Sequence, residues 1–251
     1  MSDWYDEARY YDVLFGWDAS RERDFLLDAA ARLGLGRAPR RALEPFCGTG
    51  RLLRVVPGAV GFDLNPAMVR FARSTGCPAF QADAGRFAVA PGAFDLAYCL
   101  IDSFRHLLDE EAARGHLEGV ARALRPGGIY VLGFDVTGGM TREDSLEEWE
   151  TRRGDVHVAG RIEGLGDADP VRRVETMQVR LDVTERGARR RIESRQPLRT
   201  YTRAQARALL AGAAGGALEV AAVFDRRYDL DRPMALEQID GSAVFVLRRI
   251  G

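Results

Sequence analysis

Lysine is absent from this chain of 251 residues, so each of its 36 basic side chains is an arginine. That excludes a Schiff-base lysine and the lysine of a Walker-type phosphate loop. Abundant arginine, alanine and glycine are what a GC-rich genome supplies, and no special use of arginine follows from them. Cysteine is scarce as well. Cys47, Cys77 and Cys99 fall in no metal or redox spacing, which leaves neither a zinc site nor a disulfide framework to expect. Reduced thiols and a cytoplasmic protein are the simple reading. No uninterrupted apolar run reaches the roughly 18 residues of a membrane span. The start, Met1-Ser2-Asp3-Trp4-Tyr5, has no basic or apolar leader region, so neither export nor membrane insertion is expected. An excess of one charge is missing too, since 37 acidic residues balance the arginines at a net charge of -1. Without a basic patch or tail, nucleic acid is not an expected partner. What the chain does have is 46% hydrophobic residues, enough for one substantial core.

Ser20 to Leu33 reads as a helix, with a serine cap, apolar residues at helical spacing and Gly34 as its stop. Beyond it the pattern changes to short apolar runs at 41–44, 59–63, 94–100 and 129–134, each ending near a polar or glycine-rich turn. Runs that are apolar on both faces suit strands of a parallel sheet covered by helices. The spacing predicts helices between them at about 50–56, 66–75 and 109–124, the last capped by Asp109. Strand and helix alternating in this way predict a doubly wound α/β sheet. After Asp135 a polar, helix-like segment containing Trp149 is expected. It is followed by period-two sequence at Met177, Val179, Leu181 and Val183, a turn at 185–187 and a second extended stretch over 189–198. These read as an antiparallel meander added to the sheet. Thr202 and Gln205 form a capping box for a helix through Leu210, and 220–224 and 243–247 read as two final strands.

The informative segment is Glu44-Pro45-Phe46-Cys47-Gly48-Thr49-Gly50, at the end of the first strand of the sheet. Glycines there allow a tight turn and bring backbone N–H groups close to a ligand. About 20 residues on, Asp63 ends the next strand, where a carboxylate can accept both hydroxyls of a ribose. On that geometry a dinucleotide and S-adenosylmethionine fit equally well.

The segment resembles the first motif of class I S-adenosylmethionine-dependent methyltransferases, acidic-x-Gly-x-Gly-x-Gly. Further stretches follow in that family's order: Gly61-Phe62-Asp63-Leu64-Asn65-Pro66-Ala67-Met68, Gln81-Ala82-Asp83-Ala84, Phe94-Asp95-Leu96-Ala97 and Leu124-Arg125-Pro126-Gly127-Gly128. A nicotinamide oxidoreductase is disfavoured, because Leu53 stands where a pyrophosphate loop needs its third glycine. The resemblance implies S-adenosylmethionine as cofactor and a Rossmann-like fold, a mostly parallel seven-stranded sheet with an antiparallel insertion. With no internal repeat or low-complexity linker between its parts, the chain reads as one domain over 1–251: a helical cap over 1–36, a cofactor-binding core over 37–135, the insertion and acceptor wall over 136–200, and a C-terminal helix and strand pair over 201–251.

Residue by residue, the resemblance places Gly48 and Gly50 beside the methionine and ribose, and Glu44 at the loop or the methionine ammonium. Asp63 falls on the ribose, Met68 against the adenine, Asp83 at its exocyclic amine and Ala84 at the ring edge. Met68 as plain core and Asp83 as a turn cap are the bland alternatives. The first glycine of the motif is Phe46 here. A benzyl group pointing into the core leaves the loop usable; one narrowing the site would make the chain a catalytically inactive scaffold.

The stretch from Leu100 to Leu107 follows the fourth strand and should face the transferring methyl. Enzymes that methylate base or glutamine amines carry an Asn/Asp-Pro-Pro-Tyr/Phe motif, which is absent. The stretch resembles instead the small-molecule branch, in which a His-Leu pair follows this strand and an N-terminal Tyr-Asp motif folds over the cofactor. His106 is thus the expected acid–base residue and Tyr11, followed by Asp12, the competing one. His116 and His157 lie elsewhere. Arg199 and Tyr201 are within reach of the acceptor pocket, and a homodimer contact through the insertion is a further expectation. The implied reaction is methyl transfer to nitrogen or oxygen of a small molecule.

Overall fold

The structure is a computed structural model that describes residues 3–136, 146–239 and 241–251. A turn at Trp4–Asp6 leads into α1 (Ala8–Phe15), followed by α2 (Ser20–Ala29), which ends in a wider turn at Ala30–Gly34. Then come β1 (Ala42–Pro45), β2 (Ala59–Asp63), α3 (Pro66–Ser74), β3 (Ala79–Gln81), β4 (Phe94–Cys99), α4 (Glu110–Ala123) and β5 (Leu124–Val136). An excursion follows through β6 (Leu146–Arg153), β7 (Val156–Gly164), β8 (Val174–Glu185) and β9 (Ala188–Arg199). The chain closes with α5 (Arg203–Ala211), β10 (Leu218–Asp225) and β11 (Gly241–Arg249).

Seven strands form one sheet in the order β3-β2-β1-β4-β5-β11-β10. It is parallel from β3 to β5 and antiparallel where β11 meets β5 and β10. Alternation along β5 feeds two cores: Tyr130, Leu132 and Phe134 enter the layer under α4 and α5, whereas Ile129 and Val131 enter the layer under α2 and α3. Between β1 and β4 the strand order reverses, which opens a crevice at their carboxyl ends. The doubly wound seven-stranded sheet is as expected.

Three expectations need correction. The meander does not extend the large sheet: β6, β7, β8 and β9 pair antiparallel with one another as a separate four-stranded sheet. The Trp149 segment is strand β6, not helix; Trp149 lies opposite Gly160 and its ring sits 5.5 Å from Phe15, so burial against α1 overrides a helix-like composition. Residues 50–56 form successive turns, with Arg54 N–H donating to the Gly50 carbonyl (3.1 Å) and Val56 N–H to that of Leu52 (2.9 Å). Pro57 and Gly58 stop them from lengthening into a helix, since Gly58 turns at φ +68° where a Cβ would strike the Arg40 carbonyl. The helix-like expectation for 137–145 lies outside the described residues.

A third apolar cluster joins the inner face of the small sheet, through Val158, Val179, Leu181 and Ile192, to Trp4, Val13 and Leu14 of the N-terminal segment. That segment therefore lies between the two sheets. Asp12 is buried in the joint, accepting from Arg54 of the glycine-loop region (2.8 Å) and from Arg153 of β6 (2.6 Å). Among the described residues no helix is long and apolar enough to cross a membrane.

Candidate active site

At the carboxyl end of β1 the backbone enters the left-handed region at Phe46 (φ 57°), Gly48 (φ 52°) and Gly50 (φ 82°). Gly50 has Cys77 against it, where an added Cβ would sit 3.0 Å from the Sγ. Gly48 faces open space, so the loop presents a bare backbone edge to the crevice. Asp63, at the end of β2, ties this loop down: one oxygen accepts from Gly48 N–H and the other from Asn65 N–H, both at 2.9 Å. Burial raises its pKa against the pull of those N–H groups. Phe46 packs against the α4 side of the sheet, its ring 5.6 Å from that of His116.

Glu44 is buried, and its carboxyl accepts one hydrogen bond, from the Tyr98 hydroxyl at 3.2 Å. Burial pushes its pKa up to about 8, with the Arg51 guanidinium as the chief opposing influence. Glu44 is therefore mostly protonated at neutral pH. Such a group answers a cation, and the ammonium of a bound amino acid fits it. Met68 is fully buried in the first turn of α3, which Asn65 caps. Asp83 is committed to its turn: its oxygens accept from Gly85 N–H (2.9 Å) and Arg86 (3.0 Å). The Ala84 carbonyl meets His116 Nδ1 at 3.0 Å, and the other nitrogen of that ring meets the Tyr130 hydroxyl at 2.7 Å. This buried histidine fixes the peptide of Ala84.

Past β4, Leu100 is buried, and Ile101 (φ 58°) and Asp102 (φ 68°) both adopt left-handed backbone, an uncommon conformation for residues with a Cβ. Asp102 is held by the Asp135 N–H and by Arg105, both at 2.7 Å. Arg105 is buried, donates to the Arg199 carbonyl (2.8 Å) and contacts Glu175 of β8, tying the small sheet to this corner. The next residue, His106, is half-buried and directed at the N-terminal segment: its Nε2 lies 2.9 Å from the Tyr5 hydroxyl. Burial and the neighbouring Arg105 lower its pKa to about 4.

Tyr5 is a functional candidate that the sequence reading missed, because its partner is 101 residues away. An aromatic-rich N-terminus was the available signal. Tyr11 packs 5.8 Å from Tyr5 and its hydroxyl feels Asp63, but His106 bonds to Tyr5. Buried Trp4, whose indole N–H makes no hydrogen bond among the described residues, completes the group. Arg199 and Tyr201 serve structure instead. Arg199 pairs with Glu110 and the Leu108 carbonyl, and Tyr201 is buried against Phe104 and Phe134.

Residues 42–128, which contain the glycine loop, Glu44, Asp63 and His106, match the family described as a methyltransferase domain. Over that stretch the chain is similar to methyltransferases. The chain also shares its fold with solved methyltransferases. An S-adenosylmethionine-dependent methyltransferase of Clostridium acetobutylicum is 17% identical, covering 99% of this chain and 100% of its own at a TM-score of 0.74. A sugar N-methyltransferase of Streptoalloteichus sp. is 22% identical, covering 100% and 94% at 0.73. An amino pentose methyltransferase of Micromonospora echinaspora, solved with S-adenosylmethionine bound, is 22% identical, covering 99% and 92% at 0.65. No curated protein sequence matches the chain significantly.

Proposed function

We propose that this chain is an S-adenosylmethionine-dependent methyltransferase that transfers a methyl group to an amine nitrogen of a small molecule, with amino sugars as the acceptor class. The observation that carries the proposal is the Tyr5–His106 pair at the carboxyl end of β4, across the crevice from the glycine loop. Bound in that crevice, S-adenosylmethionine supplies an activated methyl, so that an N–CH3 bond forms as the S–CH3 bond breaks. Glu44 holds the ammonium, Asp63 the ribose hydroxyls, and Gly48 and Gly50 keep the loop low enough for both. Met68, Ala84 and Leu100 supply apolar contact, while Asp83 acts mainly by shaping its turn.

The acceptor's residues then have to align a lone pair and receive a proton. His106, neutral down to a pH of about 4, is a weak base, and neither tyrosine ionises readily in this buried cluster. A hydroxyl would need a stronger base than these. A neutral amine brings its own lone pair, so His106 and Tyr5 need only orient its N–H groups, with Tyr11 packed behind them; the methylated ammonium keeps its proton and loses it to solvent after release. Two of the solved relatives act on a sugar nitrogen or an amino pentose, which supports the same choice.

The test is calorimetry with S-adenosylhomocysteine, followed by turnover on amino sugars and their hydroxyl counterparts read by mass spectrometry. Binding at micromolar affinity, with methylation confined to the amines, is the expected result. Methylation of the hydroxyl counterparts alone would overturn the nitrogen assignment, and absence of binding at millimolar ligand would remove the donor site itself.

A further inference from the structure

Arg153 ends β6 in the small sheet, yet its guanidinium grips α1: Nη1 donates to the Asp12 carboxylate (2.6 Å) and Nη2 to the Asp12 carbonyl (2.9 Å). Gly16 leaves room for that grip, because a Cβ there would lie 2.2 Å from the Asp12 carbonyl oxygen and 2.3 Å from Arg153 Nη2. From the other side, Arg54 Nη2 donates to the Asp12 carboxylate (2.8 Å), while its Nη1 donates to the carbonyl of Thr49 (2.9 Å), the residue between Gly48 and Gly50. The hydrogen bonds therefore run unbroken from β6 through α1 to the glycine loop. The Asp12 side chain is only 5% exposed. Burial acts to raise its pKa, and the hydrogen bonds from Arg153 and Arg54 hold it below the ordinary carboxylate value all the same. Its charge thus depends on both guanidinium groups.

We infer that Asp12 and Arg153 are positioning residues for the glycine loop, so that the small sheet, acting through Arg54, sets the affinity for the methyl donor. This rests on the donor site proposed above. Without Arg153 a buried carboxylate keeps one cation and turns toward water, which draws Arg54 off the Thr49 carbonyl. A loop built on Gly48 and Gly50 then has more freedom to lose when the donor binds. Such coupling is reciprocal, and a bound donor should hold the small sheet in place by the same factor. A β6 from another protein would preserve full donor affinity only if it brought a cation to Asp12.

The test measures S-adenosylhomocysteine affinity by calorimetry on the full chain, well below the melting temperature of each variant. Arg153→Gln is expected to weaken binding about fivefold or more. Asp12→Ala should weaken it as much alone as in combination with Arg153→Gln, because the path is then already cut at its centre. In wild type, saturating S-adenosylhomocysteine should slow hydrogen exchange of the β6 amides by about the factor lost in Arg153→Gln, and in that variant it should not. If Asp12→Ala does not fold, Arg54→Gln takes its place in the cycle with the same expectation. Unchanged affinity in Arg153→Gln, even with a lowered Tm, would make the contact a purely structural one, and additive losses in the double variant would show two independent effects; either overturns the inference. Failure of wild type to bind S-adenosylhomocysteine would instead overturn the donor site, a result distinct from both.

Discussion

At the scale of single residues, the titrating groups of the site make opposite demands. His106 and His116 both have pKa values lowered to about 4, chiefly by burial. The unfolded chain therefore binds more protons than the folded one between about 6.5 and 4, and stability falls as pH drops through that window. Glu44 runs the other way. Raised to about 8 from 4.5, it stays protonated in the folded chain where the unfolded chain has ionised, so its contribution is lost as pH rises from 4.5 to 8. Glu44→Gln should accordingly stabilise the ligand-free protein, by a margin that grows over that range and then levels off, while weakening S-adenosylhomocysteine binding. Thermal melts at several pH values check the first effect. Binding of an ammonium beside Glu44 should also expel its proton, so at pH 7 the binding enthalpy should vary with the ionisation enthalpy of the buffer, and at pH 9 it should not. His106→Ala should lower turnover by about tenfold or more while keeping S-adenosylhomocysteine affinity within a few-fold. Tyr5→Phe should reproduce part of that loss, whereas a phenotype confined to Tyr11→Phe would return the role to Tyr11. Because burial and Arg105 lower the His106 pKa to about 4, an acid limb of the rate near pH 6.5 should persist in His106→Ala, and a pH–rate profile of that variant checks it. His106 was legible from its place after β4. Its depressed pKa was not, since Arg105 and the aromatic cover are tertiary neighbours.

At the scale of elements, the strands of the large sheet were readable wherever apolar runs met a glycine-rich or polar turn. The failures share one cause, which is that non-local pairing decided the outcome. Strand β3 is three residues long and depends on β2 for its ladder. Strand β6 is acidic and exposed on one side, and pairs only because β7 offers an edge. The short turns at 50–56 end early because Gly58 must pass under Arg40. The capping box at Thr202 was legible because it is local, and the structure shows both of its hydrogen bonds. Thr202→Ala should cost about 1 kcal/mol of stability, measurable by denaturant unfolding. Asp12 presents a different case, for its position in a Tyr-Asp pair suggested a part in the cover and the structure makes it a clasp between α1, the glycine-loop region and β6. Asp12→Asn should lower stability by about 1–3 kcal/mol and speed hydrogen exchange over residues 8–15 more than over α4.

At the scale of the whole molecule, the two sheets share no strand, and the N-terminal segment packs between them. Native-state hydrogen exchange should therefore resolve two protected units, with the β6–β9 amides opening at lower denaturant than those of β1, β4 and β5; one common opening would show that the clasp at Asp12 fuses them. The single-domain reading becomes a proposal about cooperativity, which the same measurement decides. The segment that matches the methyltransferase family ends at Gly128, before any strand of the small sheet begins. Evolution could thus exchange β6–β9 without rewriting the hydrogen-bond ladder that supports the donor's binding loop. In such a lineage the acceptor would diversify by replacement of a module while the donor chemistry was inherited unchanged, and a chimera carrying a relative's four strands should still bind S-adenosylhomocysteine after its choice of acceptor has moved.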